Sequence, residues 1–208
     1  MQASRFEQKY IVSEETALQI RQFVQGLMEL DENGLDQPDN SYPVHSLYLD
    51  SDDLKLYWAT INGDKNRYKL RLRFYNDNPD TPVFFEIKRR MNNCIMKQRG
   101  GVRRAAVPML LAGQLPDPAY LVAHEARQLL ALQRFCQLQQ ELHAGPKLHV
   151  AYAREAYVPA DDNSARITMD RHVRVQAQAT PDLSTQMSQP AYVWPHQVVL
   201  ELKFTNRF

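Results

Sequence analysis

Residues 67–74 read Arg67-Tyr68-Lys69-Leu70-Arg71-Leu72-Arg73-Phe74, four cations alternating with four apolar or aromatic side chains. Successive side chains on a β-strand point to opposite faces. Arg67, Lys69, Arg71 and Arg73 therefore form one row, about 6.6 Å apart. Tyr68, Leu70, Leu72 and Phe74 form the other row, and an apolar face implies a core behind it. Like charges in adjacent positions repel. A polyanion laid along the row relieves that repulsion, and phosphate chains are the first candidate.

The same pattern returns along the chain. In Val83–Arg90, Glu86, Lys88 and Arg90 share a face against Phe85 and Ile87. Near the N-terminus Glu7 and Lys9 fall together, with Tyr10 following. Arg166, Thr168 and Asp170 alternate with Ile167 and Met169, and Glu201 and Lys203 alternate with Leu200, Leu202 and Phe204. Arg154, in Val150–Arg154, and Lys97, in Ile95–Arg99, extend the set.

Dividing the charge sharpens the reading. The proposed row holds eleven cations and four acids, net +7, whereas the whole chain is +1, so everything else sums to −6. A nucleic-acid binder carries its positive charge on an open outer face. Concentration on strands with a mildly acidic remainder argues against binding bulk duplex.

The 208 residues, 44% hydrophobic and 24% charged, suit one soluble domain with a substantial core. No apolar run approaches the ~18 residues of a membrane span, and no charged-then-apolar leader opens the chain. Cys94 and Cys136 show no metal spacing and imply no disulfide framework. A cytoplasmic location is the default expectation. The six histidines also lack metal spacing, and neither a Walker loop nor a kinase catalytic loop is present.

Ser13 followed by Glu14-Glu15 predicts an N-cap and a helix to about Met28. Residues 31–43, rich in Asp, Asn, Gly and Pro, predict a loop. Val44–Asp50 predicts a strand, and Asp52–Ile61 a short helix or turn. Strands are expected at about 67–75 and 83–90, joined by a hairpin at Asn76–Pro79. Gly100-Gly101 is expected to break the chain after another short strand. Pro116 and Pro118 are expected to open a long helix to about Leu142, ended by Gly145-Pro146. Strands at about 147–158, 164–175 and 197–204 complete the pattern, with 177–195 a surface loop. No repeat, low-complexity tract or domain boundary stands out.

These elements predict a single α+β domain: a closed antiparallel β-barrel, or tunnel, of about eight strands with helices packed outside and the charges within. A flat sheet with wet outer side chains is the competing arrangement. Repeating like charges on several strands is costly for a flat sheet, so the tunnel is the expectation. Tyr48 and Tyr75 read as packing groups, and Asp50 as a strand-end cap.

The ordered set Glu7-x-Lys9-Tyr10, Ser46-Leu47-Tyr48-Leu49-Asp50, Lys69-x-Arg71-x-Arg73-x-Tyr75, Glu86-x-Lys88, Arg154, Arg166-x-Thr168-x-Asp170 and Glu201-x-Lys203-Phe204 resembles the VTC domain. That is the polyphosphate polymerase catalytic domain of the triphosphate tunnel metalloenzymes, relatives of the CYTH enzymes. The resemblance spans about residues 4–207. Glu7-x-Lys9 has one glutamate fewer than the Glu-x-Glu-x-Lys of hydrolytic CYTH relatives, which favours the VTC branch.

The resemblance implies a basic lumen that binds triphosphate or polyphosphate, with γ-phosphate transfer from ATP to a growing polyphosphate chain. By matched position, Lys9, Arg71, Arg73, Lys88, Arg154, Arg166 and Lys203 would be phosphate ligands at the catalytic site. Lys69, Arg67, Arg90 and Lys97 extend the substrate-binding row. Glu201 would hold Mn2+ or Mg2+, ions that take carboxylate oxygens together with phosphates, and Glu86 and Glu7 are the other acids that either join it as metal ligands or pair with neighbouring cations. A membrane protein is a possible partner by the same resemblance, and nucleic acid is not expected. Triphosphate hydrolysis and non-catalytic binding of polyphosphate or inositol phosphates are the alternatives.

Overall fold

The computed structural model describes residues 5–92, 94–160 and 164–205. Among these the protein is α+β, with four α-helices and mainly antiparallel strands. In chain order the elements are β1 (Arg5–Ser13), α1 (Glu14–Gln25), β2 (Glu29–Leu30), β3 (Ser41–Asp50) and α2 (Lys55–Ile61). There follow β4 (Asn66–Phe74), β5 (Val83–Met91), β6 (Cys94–Val102), α3 (Val107–Leu111) and α4 (Ala126–Glu141). The last are β7 (Gly145–Val158), β8 (Ala165–Ala177), β9 (Ala191–Tyr192) and β10 (Gln197–Thr205). Eight of the ten described strands have nine residues or more, which fits the expected strand number.

The chain divides into two compact units. One comprises Met1–Val44, Ala151–Val175 and Pro190–Phe208; the other comprises His45–Val150 and Gln176–Gln189.

In the unit containing β4, that strand pairs antiparallel with both β3 and β5, and β5 pairs with β6. The alternation of residues 67–74 behaves as expected. Leu70, Leu72 and Phe74 are fully buried on one face, joined by Phe85 and Ile87 of β5 and Leu47 and Leu49 of β3. Helix α4 closes this core with Leu132 and Phe135, the latter edge-on to Phe85 at 4.8 Å. Each such buried side chain contributes about 1.5–3 kcal/mol relative to exposure. At the end of β3, Asp50 caps α2. Its Oδ1 accepts from the Leu56 amide at 2.9 Å, and Oδ2 from the Tyr57 amide at 2.9 Å.

Two sequence expectations fail in this unit. Strand β6 runs straight through Gly100-Gly101, because the missing side chains admit helix α4. A Cβ on Gly100 would meet the Gln128 carbonyl oxygen at 2.9 Å, and the Gly101 amide donates to Gln128 Oε1 at 3.0 Å. Nor does the long helix begin at Pro116–Pro118. Pro118–Tyr120 is a single 3-10 turn capped by Asp117, after which buried Leu121 is drawn into a bridge with Val102. That extended residue breaks the helix, which restarts at Ala126.

In the other unit β1 pairs with β10, β10 with β8, and β8 with β9, while β7 pairs with β2 and β8. Ser13 caps α1 as expected, its Oγ accepting from the Thr16 amide at 3.1 Å. Ala17 and Val24 of α1 pack on Tyr157, Met169, Val198 and Leu200. A charged clasp reinforces that packing. Fully buried Glu155 accepts two 2.7 Å hydrogen bonds from Arg21 of α1, one at 2.7 Å from Arg171 of β8 and one at 2.7 Å from Tyr157.

Candidate functional site

Each unit carries its own cation-rich sheet face, and each face surrounds a buried carboxylate. Residues opposite one another on neighbouring antiparallel strands share a face. Across β3, β4, β5 and β6 the register therefore sets Tyr48, Arg71, Glu86 and Arg99 in one line. Lys69, Lys88 and Lys97 form the next line, and Ser46, Arg73 and Phe84 the line on the other side.

Glu86 has no exposed surface. Its Oε2 takes Arg71 at 2.6 Å, and its Oε1 takes Lys97 at 2.7 Å and Arg99 at 3.5 Å. Burial alone would raise its pKa, but Arg71, Lys97 and Arg73 outweigh it and hold the carboxyl well below the usual range. Burial pulls the Lys97 ammonium down to about 8, against the attraction of Glu86. Tyr48 does more than pack. Its hydroxyl accepts from Arg71 Nη1 at 3.3 Å, and although burial pushes the phenol up, Arg71, Arg73 and Lys69 bring it to about 8. Arg73 is itself buried and donates to Ser46 Oγ at 3.2 Å.

Arg67 and Arg90 lie opposite one another at the far end of β4 and β5, where both turn to backbone. Arg67 donates to the Asp64 carbonyl and Arg90 to the Asn92 carbonyl. They belong to the same face but not to the Glu86 cluster.

The other unit has a different centre. Lys9 lies opposite Glu201, which lies opposite Thr168; Glu7 lies opposite Lys203, which lies opposite Arg166. Glu201, almost fully buried, takes Lys9 at 3.1 Å on Oε1 and Lys203 at 2.7 Å on Oε2. Burial would raise this carboxyl, yet Lys203, Lys9 and Arg154 keep it well below its ordinary value. Burial brings Lys203 down to about 8, with Glu201 opposing. Arg154 forms a two-point 2.7 Å pair with Asp170 and stacks on Tyr152 at 5.0 Å. Arg166 reaches out of this cluster to Asp31 at 2.5 Å and the Tyr42 hydroxyl at 3.4 Å.

The sequence reading missed Arg99, Asp31 and the acceptor role of Tyr48. Arg99 was detectable: Lys97-x-Arg99 keeps the two-residue spacing of the other rows.

Among the described residues no group of three or more His, Cys, Asp or Glu side chains is placed to hold a metal ion. Glu86 fits a metal poorly, because both oxygens already face cations. Glu201 also faces cations with both oxygens, Lys9 and Lys203, but unlike Glu86 it has a second carboxylate, Glu7, beside it. Glu7 and Glu201 flank the Lys203 ammonium, at 4.0 and 2.7 Å, which makes them a pair of carboxylates beside the place where phosphate oxygens could complete a coordination shell.

Antiparallel ladders with an apolar face, an opposite face of cations, and helices on the apolar side define an α+β class suited to polyanions. The sequence matches the VTC domain over residues 4–208, and the chain belongs to that family. A solved structure described as a candidate adenylate cyclase from Bacillus halodurans shares the fold, with TM-score 0.52 and 12% identity over 99% of this chain and 82% of that one. A similarly described protein from Vibrio parahaemolyticus gives TM-score 0.47 and 9% identity, over 99% and 79% of the two chains. No functionally curated protein matches. No helix among the described residues is long and apolar enough to cross a membrane.

Proposed function

We propose that the chain is a single-domain polyphosphate polymerase, transferring the γ-phosphate of ATP to a polyphosphate chain held along its cation rows. The observation that carries this reading is the Glu86 cluster: three cations converge on one buried carboxylate, leaving a surplus of positive charge on a fixed sheet face. Phosphoryl transfer needs little covalent help; positioning and neutralising charge on phosphate oxygens do most of it. Arg71, Arg73, Arg154 and Arg166 offer planar forks of donors, while Lys9, Lys88 and Lys203 offer point charges. The substrate-binding row continues through Lys69, Lys97, Arg67 and Arg90. A cytoplasmic setting with a membrane protein as partner belongs to this proposal.

Mn2+ or Mg2+ would be held by Glu201 and Glu7 and would supply charge neutralisation on the transferring phosphates. Glu86 is assigned the role of internal counter-ion. The test is incubation of the pure protein with ATP and Mn2+ followed by gel separation of the products. A ladder of polyphosphates is expected. Inorganic phosphate alone would replace the polymerase with a triphosphatase, and tight tripolyphosphate binding without turnover would replace it with a binding module.

A further inference from the structure

Arg99 belongs to no motif that carried the sequence reading, yet its guanidinium is held on two sides within the Glu86 cluster. Its Cζ lies 3.4 Å over the centre of the Phe84 ring, and its Nε is 3.5 Å from Glu86 Oε1. The register explains both contacts, since Arg99 is opposite Glu86 and Gly101 is opposite Phe84. The seat extends one residue further. A Cβ on Gly101 would come within 3.2 Å of the Phe84 ring, so glycine leaves the space in which that ring lies.

We propose that Arg99 is a further phosphate-anchoring residue of this face, positioned by its stack on Phe84 and its pairing with Glu86. The inference rests on the reading of the face as a polyphosphate site. Three cations share one carboxylate in this cluster, so Glu86 can neutralise only one of them. Arg99 retains 36% side-chain exposure while Glu86 has none, so part of its fork of donors remains open to an external anion. A stacked guanidinium has already given up most of its rotamer freedom. It therefore loses less entropy on gripping a phosphate than a lysine swinging in solvent.

The test is calorimetric titration of linear tripolyphosphate into wild type, Arg99→Ala, Arg99→Lys and Phe84→Leu, each at several salt concentrations. Arg99→Ala is expected to weaken binding roughly tenfold or more, as for loss of a charged hydrogen-bond partner. It should also lower the slope of log affinity against log salt by about one, because one phosphate contact is gone. Phe84→Leu keeps the charge and removes the platform. It should weaken binding about two- to fivefold with the slope unchanged. Arg99→Lys should fall between wild type and Arg99→Ala. Wild-type affinity and slope in Arg99→Ala, with wild type binding well, would overturn the role of Arg99 and leave the face intact. Absence of binding by wild type would remove both.

Discussion

Replacing Glu86 by glutamine isolates the electrostatic centre of the β3–β6 face, because shape is nearly conserved while one negative charge disappears. Removing one partner of a fully buried ion pair costs about 3–5 kcal/mol. Here Lys97 and Arg99 keep 38% and 36% side-chain exposure, so water recovers part of that loss, whereas Arg71 keeps only 14%. We expect about 2–3 kcal/mol of destabilisation by urea unfolding, or roughly 4–12 °C in Tm. Tripolyphosphate should narrow the gap, since its oxygens can take the place of the lost carboxylate; at a hundred times Kd a ligand adds about 2.7 kcal/mol. The pH dependence gives an independent check. The native Glu86 pKa is held below its unfolded value, so its contribution is complete above about pH 4.5 and is lost as pH falls through the native value. Wild type should therefore lose stability on acidification more steeply than Glu86→Gln. A variant within about 0.5 kcal/mol of wild type at pH 7, or superimposable acid limbs, would refute the reasoning.

For the transfer reaction, Arg73→Ala should cost about 2–4 kcal/mol of transition-state stabilisation, the range for one preorganised donor, read as a fall in kcat/KM for ATP in the ladder assay. Tripolyphosphate affinity should decline between pH 7 and 9, because Lys97 and Lys203, both held at about 8 by burial, lose their charge on that interval. Binding at pH 8 should accordingly take up protons, measurable by calorimetry in buffers of different ionisation enthalpy; observed heats that do not change with the buffer would refute it. Gly100→Ala should destabilise the protein by about 1–3 kcal/mol, because the added Cβ would meet helix backbone at 2.9 Å and not a side chain that could move aside. A Tm within a degree of wild type would contradict that account.

The long strands and the cap of α1 were legible because they obey local rules: two-residue alternation in Arg67–Phe74 and a serine ahead of two glutamates. Choice of partner was not. That Glu86 faces Arg71 and Arg99, while Glu201 faces Lys9, follows from cross-strand register, and register is not written in any single strand. Arg99 escaped for a related reason. On β6 the residues that alternate with the cations are Met96 and Gln98, both exposed, so no apolar face marked the strand. The glycines after it suggested a stop where the structure uses them to admit a helix. The late start of α4 likewise depends on a tertiary bridge, Val102 to Leu121, that no helix signal encodes.

Neighbouring residues of the β7–β8 hairpin carry opposite charges on opposite faces: Arg154 binds Asp170 on one side, and Glu155 binds Arg171 on the other. Sliding one strand by a single position would turn every side chain over and strand all four ions without a counter-charge. The hairpin is thus keyed like a lock with two wards, and only one alignment satisfies both. Because Arg21 grips the same Glu155, damage to helix α1 should surface as a misaligned Arg154 and mimic a defect in the chemistry itself.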